Sequence, residues 1–312
     1  MPPELTVIVT TYNARGLVEG ALRSLLSQQA RDRMEIILVD SSSDGTAVYV
    51  EENHPSVHLI RSDRRLYCGD ARNAGIRASS APIIAFFDAD CEADPDWAAR
   101  VLEAHAAYPG GVIGGAVENA NPASGSGWAY YLTEFARWAP GRPAGEVDDV
   151  PGCAMTIKRA AYDRFGPFIA GTYCSDSAFH WRMAAEDERP RFDPTIRVRH
   201  RNPTELRGIV SHTFMHGRQF GRVRTDHRGA RVWKRFGWAL ASPLIALLLH
   251  MRTWRHAAQA GLLGQMLRAA PAVLAAQAAW SAGEAVSYAR SLFGGPSGFA
   301  PARGAPVAEA ET

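Results

Sequence analysis

Two aspartates one residue apart, Asp88 and Asp90, follow the apolar run Ile83-Ile-Ala-Phe-Phe87. Side chains two apart on a strand point to the same side, so the spacing predicts two carboxylates converging at a strand end. Such a pair repels itself unless a cation joins it, and oxygen-only ligands select a hard divalent ion, Mg2+ or Mn2+, usually shared with substrate phosphates. The pattern alone is weak, because 16 aspartates in 312 residues produce about one D-x-D by chance. A second one, Asp94-Pro-Asp96, reads as a helix start near Trp97, with Asp94 as N-cap and Pro95 in the first position. Cys91 reads as a buried thiol.

The elements that must position this pair are legible around it. Leu5–Thr10, Met34–Val39, Val57–Ile60 and Ile83–Phe87 are short apolar, β-branched runs that predict buried strands. Between the first two, Leu17, Val18, Ala21, Leu22, Leu25 and Leu26 keep the 3.6-residue spacing of a helix packed by one face. A helix is also expected over Asp70–Ser79, and later strands at Gly152–Ile157 and Arg191–Val198. Strands alternating with helices imply an α/β domain with a mostly parallel sheet, whose ligands bind at the carboxyl ends of the strands. Those ends carry Thr10, Tyr12 and Asn13, then Asp40, then Asp88 and Asp90. Neither G-x-G-x-x-G after the first strand nor G-x-x-x-x-G-K-[ST] occurs, which removes the main support for dinucleotide and P-loop binding.

Charge is unevenly divided. Residues 197–256 hold 13 Lys and Arg against Glu205 and Asp226, a local +11 that leaves −9 elsewhere from the overall +2. An acidic body joined to a basic stretch implies an anionic partner. The cations are interleaved with long apolar runs and no nucleic-acid module is recognisable, so nucleic acid is a poor fit. Four scattered cysteines without a C-x-x-C pair suit a reducing compartment. No basic segment followed by an apolar stretch precedes Leu5, so a cleaved signal is not expected and the cytosolic side is.

Taken in order, Val7-Ile-Val-Thr-Thr-Tyr-Asn13, Ile37-Leu-Val-Asp40 with Ser43-Asp-Gly-Thr46, Ala71-Arg-Asn-Ala-Gly75 and Phe86-Phe-Asp-Ala-Asp90 resemble family 2 glycosyltransferases of the GT-A fold over residues 5–200. The resemblance implies an inverting, metal-dependent transferase using a nucleotide-diphosphate sugar, most commonly a UDP-sugar. It implies that Thr10, Tyr12 and Asn13 form the nucleotide-side loop and that Asp40 contacts base or ribose. Arg72 and Asn73 would border the diphosphate, Asp88 would touch ribose or the metal shell, and Asp90 would ligate the metal directly. Tyr173-Cys-Ser-Asp176 is similar to the segment where an acidic pair precedes a helix, which makes Asp176 the base. Ser175 stands where that family usually has an acid. His200 falls where some GT-A enzymes place a third metal ligand, and Arg218–Arg222 where related enzymes face the diphosphate or acceptor.

The C-terminal third differs in character. Phe236–Leu249 is 14 residues without charge, flanked by Arg231, Lys234 and Arg235 and by Arg252 and Arg255. As a helix it spans roughly 21 Å, short of the ~30 Å hydrocarbon core. Residues 257–283, interrupted by Pro271, read as two packed helices, a re-entrant pair or a kinked span. Trp233, Trp238, Trp254 and Trp280 with arginine flanks suggest interfacial anchoring. The organisation expected is thus a catalytic domain over 1–200, a helical membrane-associated region over 201–293 and a disordered tail over 294–312. The function expected is sugar transfer to a lipid-linked or polysaccharide acceptor at the cytosolic membrane face, in cell-envelope or exopolysaccharide synthesis. Its rivals are a sugar-phosphate nucleotidyltransferase, which should show a glycine-rich loop after the first strand, and a non-catalytic membrane-bound scaffold, favoured only by Ser175.

Overall fold

The computed structural model describes residues 2–228 and 231–292. The expected disordered tail over 294–312 lies outside them. The described residues form two compact units, one from 2–115 and Gly145–Val198, the other from Ala116–Ala144 and the described residues over 199–292.

In the first unit the apolar runs become strands as expected. The path is β1 (Leu5–Thr11), α1 (Val18–Leu26), β2 (Met34–Asp40), α2 (Thr46–Asn53), β3 (His58–Arg61), α3 (Cys68–Ala78), β4 (Ile83–Asp88), β5 (Cys91–Ala93) and α4 (Trp97–Ala107). β6 (Val112–Asn119) follows and runs on into the second unit, where α5 (Gly125–Glu134) lies. The chain then returns with β7 (Gly145–Glu146), β8 (Met155–Lys158), α6 (Arg159–Phe165), α7 (Ser175–Ala184) and β9 (Arg191–His200). The mixed, mostly parallel sheet has the order β3-β2-β1-β4-β8-β6-β9-β5, with β7 paired to β9. β3, β2, β1 and β4 are parallel, while β8 is antiparallel to β4 and β6.

The chain winds outward from β1 through β2 to β3, then crosses back to place β4 on the other side of β1. This reversal opens a crevice at the carboxyl ends of β1 and β4, the ligand position in open α/β sheets. Ile8, Ile37, Ile84, Phe86, Met155 and Phe179 belong to the buried core beneath it. Gly75 lets α3 sit directly on β1, since a Cβ there would stand 2.5 Å from Ile8 Cγ2.

Two local expectations change. The strand ends at Asp88, and Ala89–Asp90 forms a turn into β5, so strand alternation does not orient Asp90. The N-cap of α4 is Asp96, not Asp94, whose backbone carbonyl instead accepts from Trp97 N and Gln28 Nε2.

The second unit is helical, with α8 (Leu206–Arg228), α9 (Val232–Gln259) and α10 (Leu263–Leu292) beside α5. α8 and α10 meet backbone to backbone at glycines: a Cβ on Gly217 would lie 2.1 Å from Trp280 O, and one on Gly283 2.1 Å from Phe214 O. α9 turns into α10 at Gly261, whose φ of +73° suits a residue without a Cβ. At 28 residues α9 outruns the uncharged stretch read from the sequence, and it is long and apolar enough to cross a membrane by length and composition. Of the four expected anchoring tryptophans, Trp233 is exposed, whereas Trp238 packs on Tyr288, Trp254 bonds to His250 and Trp280 bonds to Glu284.

Candidate active site

The parallel register sets the site. Pairing of Thr11 with Asp40 and of Thr10 with Asp88 brings three chain segments to one sheet edge. Thr11 Oγ1 donates to Asp40 Oδ1 at 2.5 Å, and the Ser42 amide and hydroxyl donate to the same carboxylate at 3.1 and 2.6 Å. These bonds fix the buried Asp40 side chain at the end of β2. It is not the cap of α2, whose N-cap is Gly45; Asp44 before that glycine accepts from Thr46 N at 3.1 Å. Thr10 Oγ1 donates to Asp88 Oδ1 at 3.1 Å, which fixes one oxygen of the half-buried Asp88.

Beyond β1 the backbone enters the left-handed region at Asn13, φ +52°, a conformation asparagine tolerates. Asn13 Oδ1 accepts from Ser43 N at 2.9 Å and Asn13 N donates to Ser42 Oγ at 2.7 Å, locking the two loops together. Tyr12 is left exposed, with the Arg65 guanidinium 4.2 Å above its ring. Arg65 also donates to Tyr173 Oη at 2.6 Å. Its place in this aromatic cluster was not read from the sequence, where only the Arg64-Arg65 run before Tyr67 signalled it.

Arg72 is buried in α3, its guanidinium 5.4 Å from the Phe86 ring centroid and 5.8 Å from that of Phe168. Its Nε has no hydrogen-bond partner. Room for it comes from Gly152, where a Cβ would stand 2.3 Å from Nη2, so this glycine is part of the site although no motif marked it. Burial opposes the guanidinium charge, but Cys68, Asp88, Asp176 and Cys153 around it outweigh that effect and raise its pKa. For the Cys68 thiol the order reverses: burial pushes it up to about 12 against the pull of Arg72, with Asp88 and Asp176 adding to the rise. Arg72, Asp88 and Asp176 therefore share one low-dielectric neighbourhood.

Asp176 sits half-buried in the first turn of α7, Oδ1 accepting from Ser177 N at 2.8 Å. Ser175 before it is fully buried with an unpartnered hydroxyl, and a Cβ on Gly69 would lie 2.8 Å from Ser175 Cβ. The small side chain matches that tight contact between α3 and α7. Asp90 lies half-buried in the turn after β4, with Cys91 Sγ 3.9 Å from its Oδ1. Cys91 is buried, as expected, and its thiol is raised first by burial, then by Cys153 and by Asp90 and Asp88.

Asn73, expected at the border of the diphosphate, bonds to the 162–168 segment. Its Nδ2 donates to Phe168 O at 2.7 Å, while Oδ1 accepts from Phe168 N and Tyr162 Oη, both at 3.0 Å. These bonds make it a brace for the 162–168 segment, which carries the Phe168 ring against Arg72.

His200 belongs to the second unit and is buried there between Phe135 and Tyr130, 4.7 and 6.0 Å between ring centroids. Its tautomer can be reasoned from the bonds around it. Asn121 N fixes Asn119 Oδ1 as an acceptor at 3.0 Å, Asn202 Nδ2 donates to that same oxygen at 2.8 Å, and Asn202 Oδ1 therefore faces His200 Nδ1 at 3.0 Å. An amide oxygen only accepts, so Nδ1 carries a proton.

A mixed, mostly parallel sheet that reverses beside β1, with carboxylates at its strand ends and a buried arginine, has the GT-A fold. The chain belongs to glycosyl transferase family 2, whose family model matches residues 6–165. It is 25% identical over 190 residues to glycosyltransferase AglE of Haloferax volcanii, covering 59% of this chain and 62% of that one. It is 35% identical over 102 residues to the succinoglycan biosynthesis protein ExoO of Rhizobium meliloti, covering 32% of this chain and 29% of that one. The matches thus span less than two thirds of either relative. Among solved structures, a mannosyltransferase from Pyrobaculum calidifontis in complex with GDP-Man and Mn2+ shares the fold at a TM-score of 0.57 and 21% identity, covering 88% of both chains.

Proposed function

We propose that this chain is an inverting glycosyltransferase that moves a sugar from a nucleotide-diphosphate sugar to a hydroxyl of a lipid-linked or polysaccharide acceptor, in cell-envelope or exopolysaccharide synthesis at the cytosolic membrane face. The observation that carries it is the common neighbourhood of Arg72, Asp88 and Asp176 at the reversal point of the sheet. The buried, partnerless Arg72 Nε and the carboxylates of Asp88 and Asp90 form a donor set suited to a diphosphate and a hard divalent ion. Asp90 and Asp88 would hold Mg2+ or Mn2+; when bound, the metal neutralises charge developing on the departing nucleoside diphosphate.

In this scheme Thr10, Tyr12 and Asn13 line the nucleotide side and Asp40 holds the base or ribose, its carboxylate oriented by Thr11 and Ser42. Arg72 opposes the diphosphate with a planar, permanently charged group. Asp176 Oδ takes the proton from the acceptor hydroxyl as its oxygen attacks the anomeric carbon on the face opposite the leaving group. The ordered Asp88 and Asp90 favour this reading over a scaffold, since paired carboxylates at a crevice serve nothing in a scaffold.

The test is nucleotide release by the purified protein from UDP-, GDP- and dTDP-sugars, with Mn2+, Mg2+ or EDTA. A UDP-sugar is the first expectation, and the GDP-sugar arm follows from the archaeal structure. Release from one donor should vanish with EDTA and fall at least 1000-fold in Asp90→Ala, about 4 kcal/mol of transition-state stabilisation. Neither release nor nucleotide binding in calorimetry would leave the scaffold reading standing.

A further inference from the structure

Within the second unit, α9 is apolar outside and polar inside. On an ideal helix Phe236, Leu240, Leu244, Leu247, Leu248 and Met251 fall within one arc of about 120°, and each is at least 50% exposed. Its opposite side packs on α10 through polar contacts: Ser242 Oγ donates to Ser281 O, and Gln277 Nε2 donates to Thr253 Oγ1 at 2.7 Å. Exposed Lys234 and Arg252 each lie about 120° around the helix from Leu240, so cations border the apolar arc along one edge.

Crossing a bilayer would carry along whatever is packed beside α9. Trp238 packs at a tilt on Tyr288 of α10, ring centroids 5.3 Å apart, and the Arg224 guanidinium of α8 lies 4.1 Å over the Trp238 ring. Arg224 Nη1 also reaches Tyr288 Oη at 3.4 Å. Level with the apolar part of α9 therefore stand Arg218, Arg222, Arg224 and Asp226 of α8 and the buried Glu284 of α10. A span would take these ionisable groups to hydrocarbon depth, where each is costly. An orientation parallel to the surface keeps them out and immerses only the arc.

We propose that α9 is an in-plane anchor, its Phe236–Met251 arc bedded in one leaflet of an anionic bilayer and Arg231, Lys234, Arg252 and Arg255 on the lipid headgroups. This rests on the membrane partner proposed above and adds its geometry. The occupant follows from charge complementarity, since basic side chains flank and border the arc while acids do not.

The full chain would be floated with vesicles of phosphatidylglycerol and phosphatidylcholine, and with phosphatidylcholine alone. Arg231→Cys, just before α9, and Gly264→Cys, in the first turn of α10 beyond the far end of α9, both exposed, would be treated with a membrane-impermeant maleimide added outside, against the parent protein as background. Both should label in the floated fraction; protection of one end would show a span and overturn the proposal. Leu240→Glu with Leu247→Glu should cut partition into anionic vesicles at least tenfold and leave donor hydrolysis in solution unchanged. Equal flotation of this double variant, or none by the parent, would also overturn it. Flotation without any nucleotide release would count against the transferase reading alone.

Discussion

The two units bury opposite things. In the first, carboxylates and an arginine gather at the strand ends over an apolar core; in the second, α9 turns leucines outward and holds Ser242, Thr253, Gln277 and Glu284 inside. An isolated exposed leucine means nothing, but a continuous exposed arc does. The contrast teaches that the two units depend on burial of opposite kinds, the first on an apolar core beneath charged strand ends, the second on a polar interior beneath an exposed apolar arc. Substitutions in the first should therefore act on chemistry or on ordinary core stability. Those between the helices of the second should act on a polar interior.

The largest effect is expected at Asp176. Asp176→Asn keeps the size and the bond from Ser177 N but cannot take a proton, so transfer to an acceptor should fall roughly 100- to 10,000-fold, the usual worth of a general base. Donor KM and the thermal midpoint should stay near those of the parent. If both collapse together, Asp176 is instead a structural cap of α7, and the division of labour drawn above fails in the unit where it is sharpest.

Next in size is an acid-dependent loss of stability in the first unit. His105 is buried on α4, with Nε2 2.8 Å from Thr156 Oγ1, and that hydroxyl donates onward to Ile113 O. Nε2 must therefore carry the proton, while Nδ1 has no partner. Burial, with Lys158 adding, lowers its pKa from 6.5 to about 4. The sign follows: the unfolded chain binds the proton first, so stability is complete above pH 6.5 and declines as pH falls toward 4, by about 3 kcal/mol in all. Urea midpoints against pH should show this slope, and His105→Gln should flatten it.

How far the sequence leads can be judged from particular residues. Strands β1 to β4 and the positions of Thr10, Asp40 and Asp88 were legible because buried parallel strands read as continuous apolar runs and deliver whatever follows them to one edge. The strand alternation used to orient Asp90 does not hold, since it stands in a turn and not on a strand. Gly152 and the bracing role of Asn73 were illegible, because both depend on partners about 80 to 95 residues away, Arg72 in one case and Phe168 in the other. The length of α9 was hidden by Arg252 and Arg255, which end an uncharged run without ending a helix.

The smallest effect probes the polar interior of the second unit. Glu284 is buried on α10 and accepts from Trp280 Nε1 at 3.0 Å and Tyr288 Oη at 3.3 Å. Burial raises its pKa, and Trp280, Arg224 and Tyr288 only partly offset that. A carboxyl whose folded pKa lies above 4.5 contributes most at low pH and loses that contribution as pH rises through the folded value. Glu284→Gln keeps an acceptor for Trp280 and removes the charge. It should stabilise the protein at pH 7 to 8 by on the order of 1 kcal/mol, the scale of one altered buried hydrogen bond, and change nothing near pH 4. Thermal midpoints at both pH values decide it. A loss of stability at pH 7 would mean that Arg224 holds the carboxylate ionised, making the meeting of α8 and α10 an ion-paired interface and strengthening the case against carrying it into hydrocarbon.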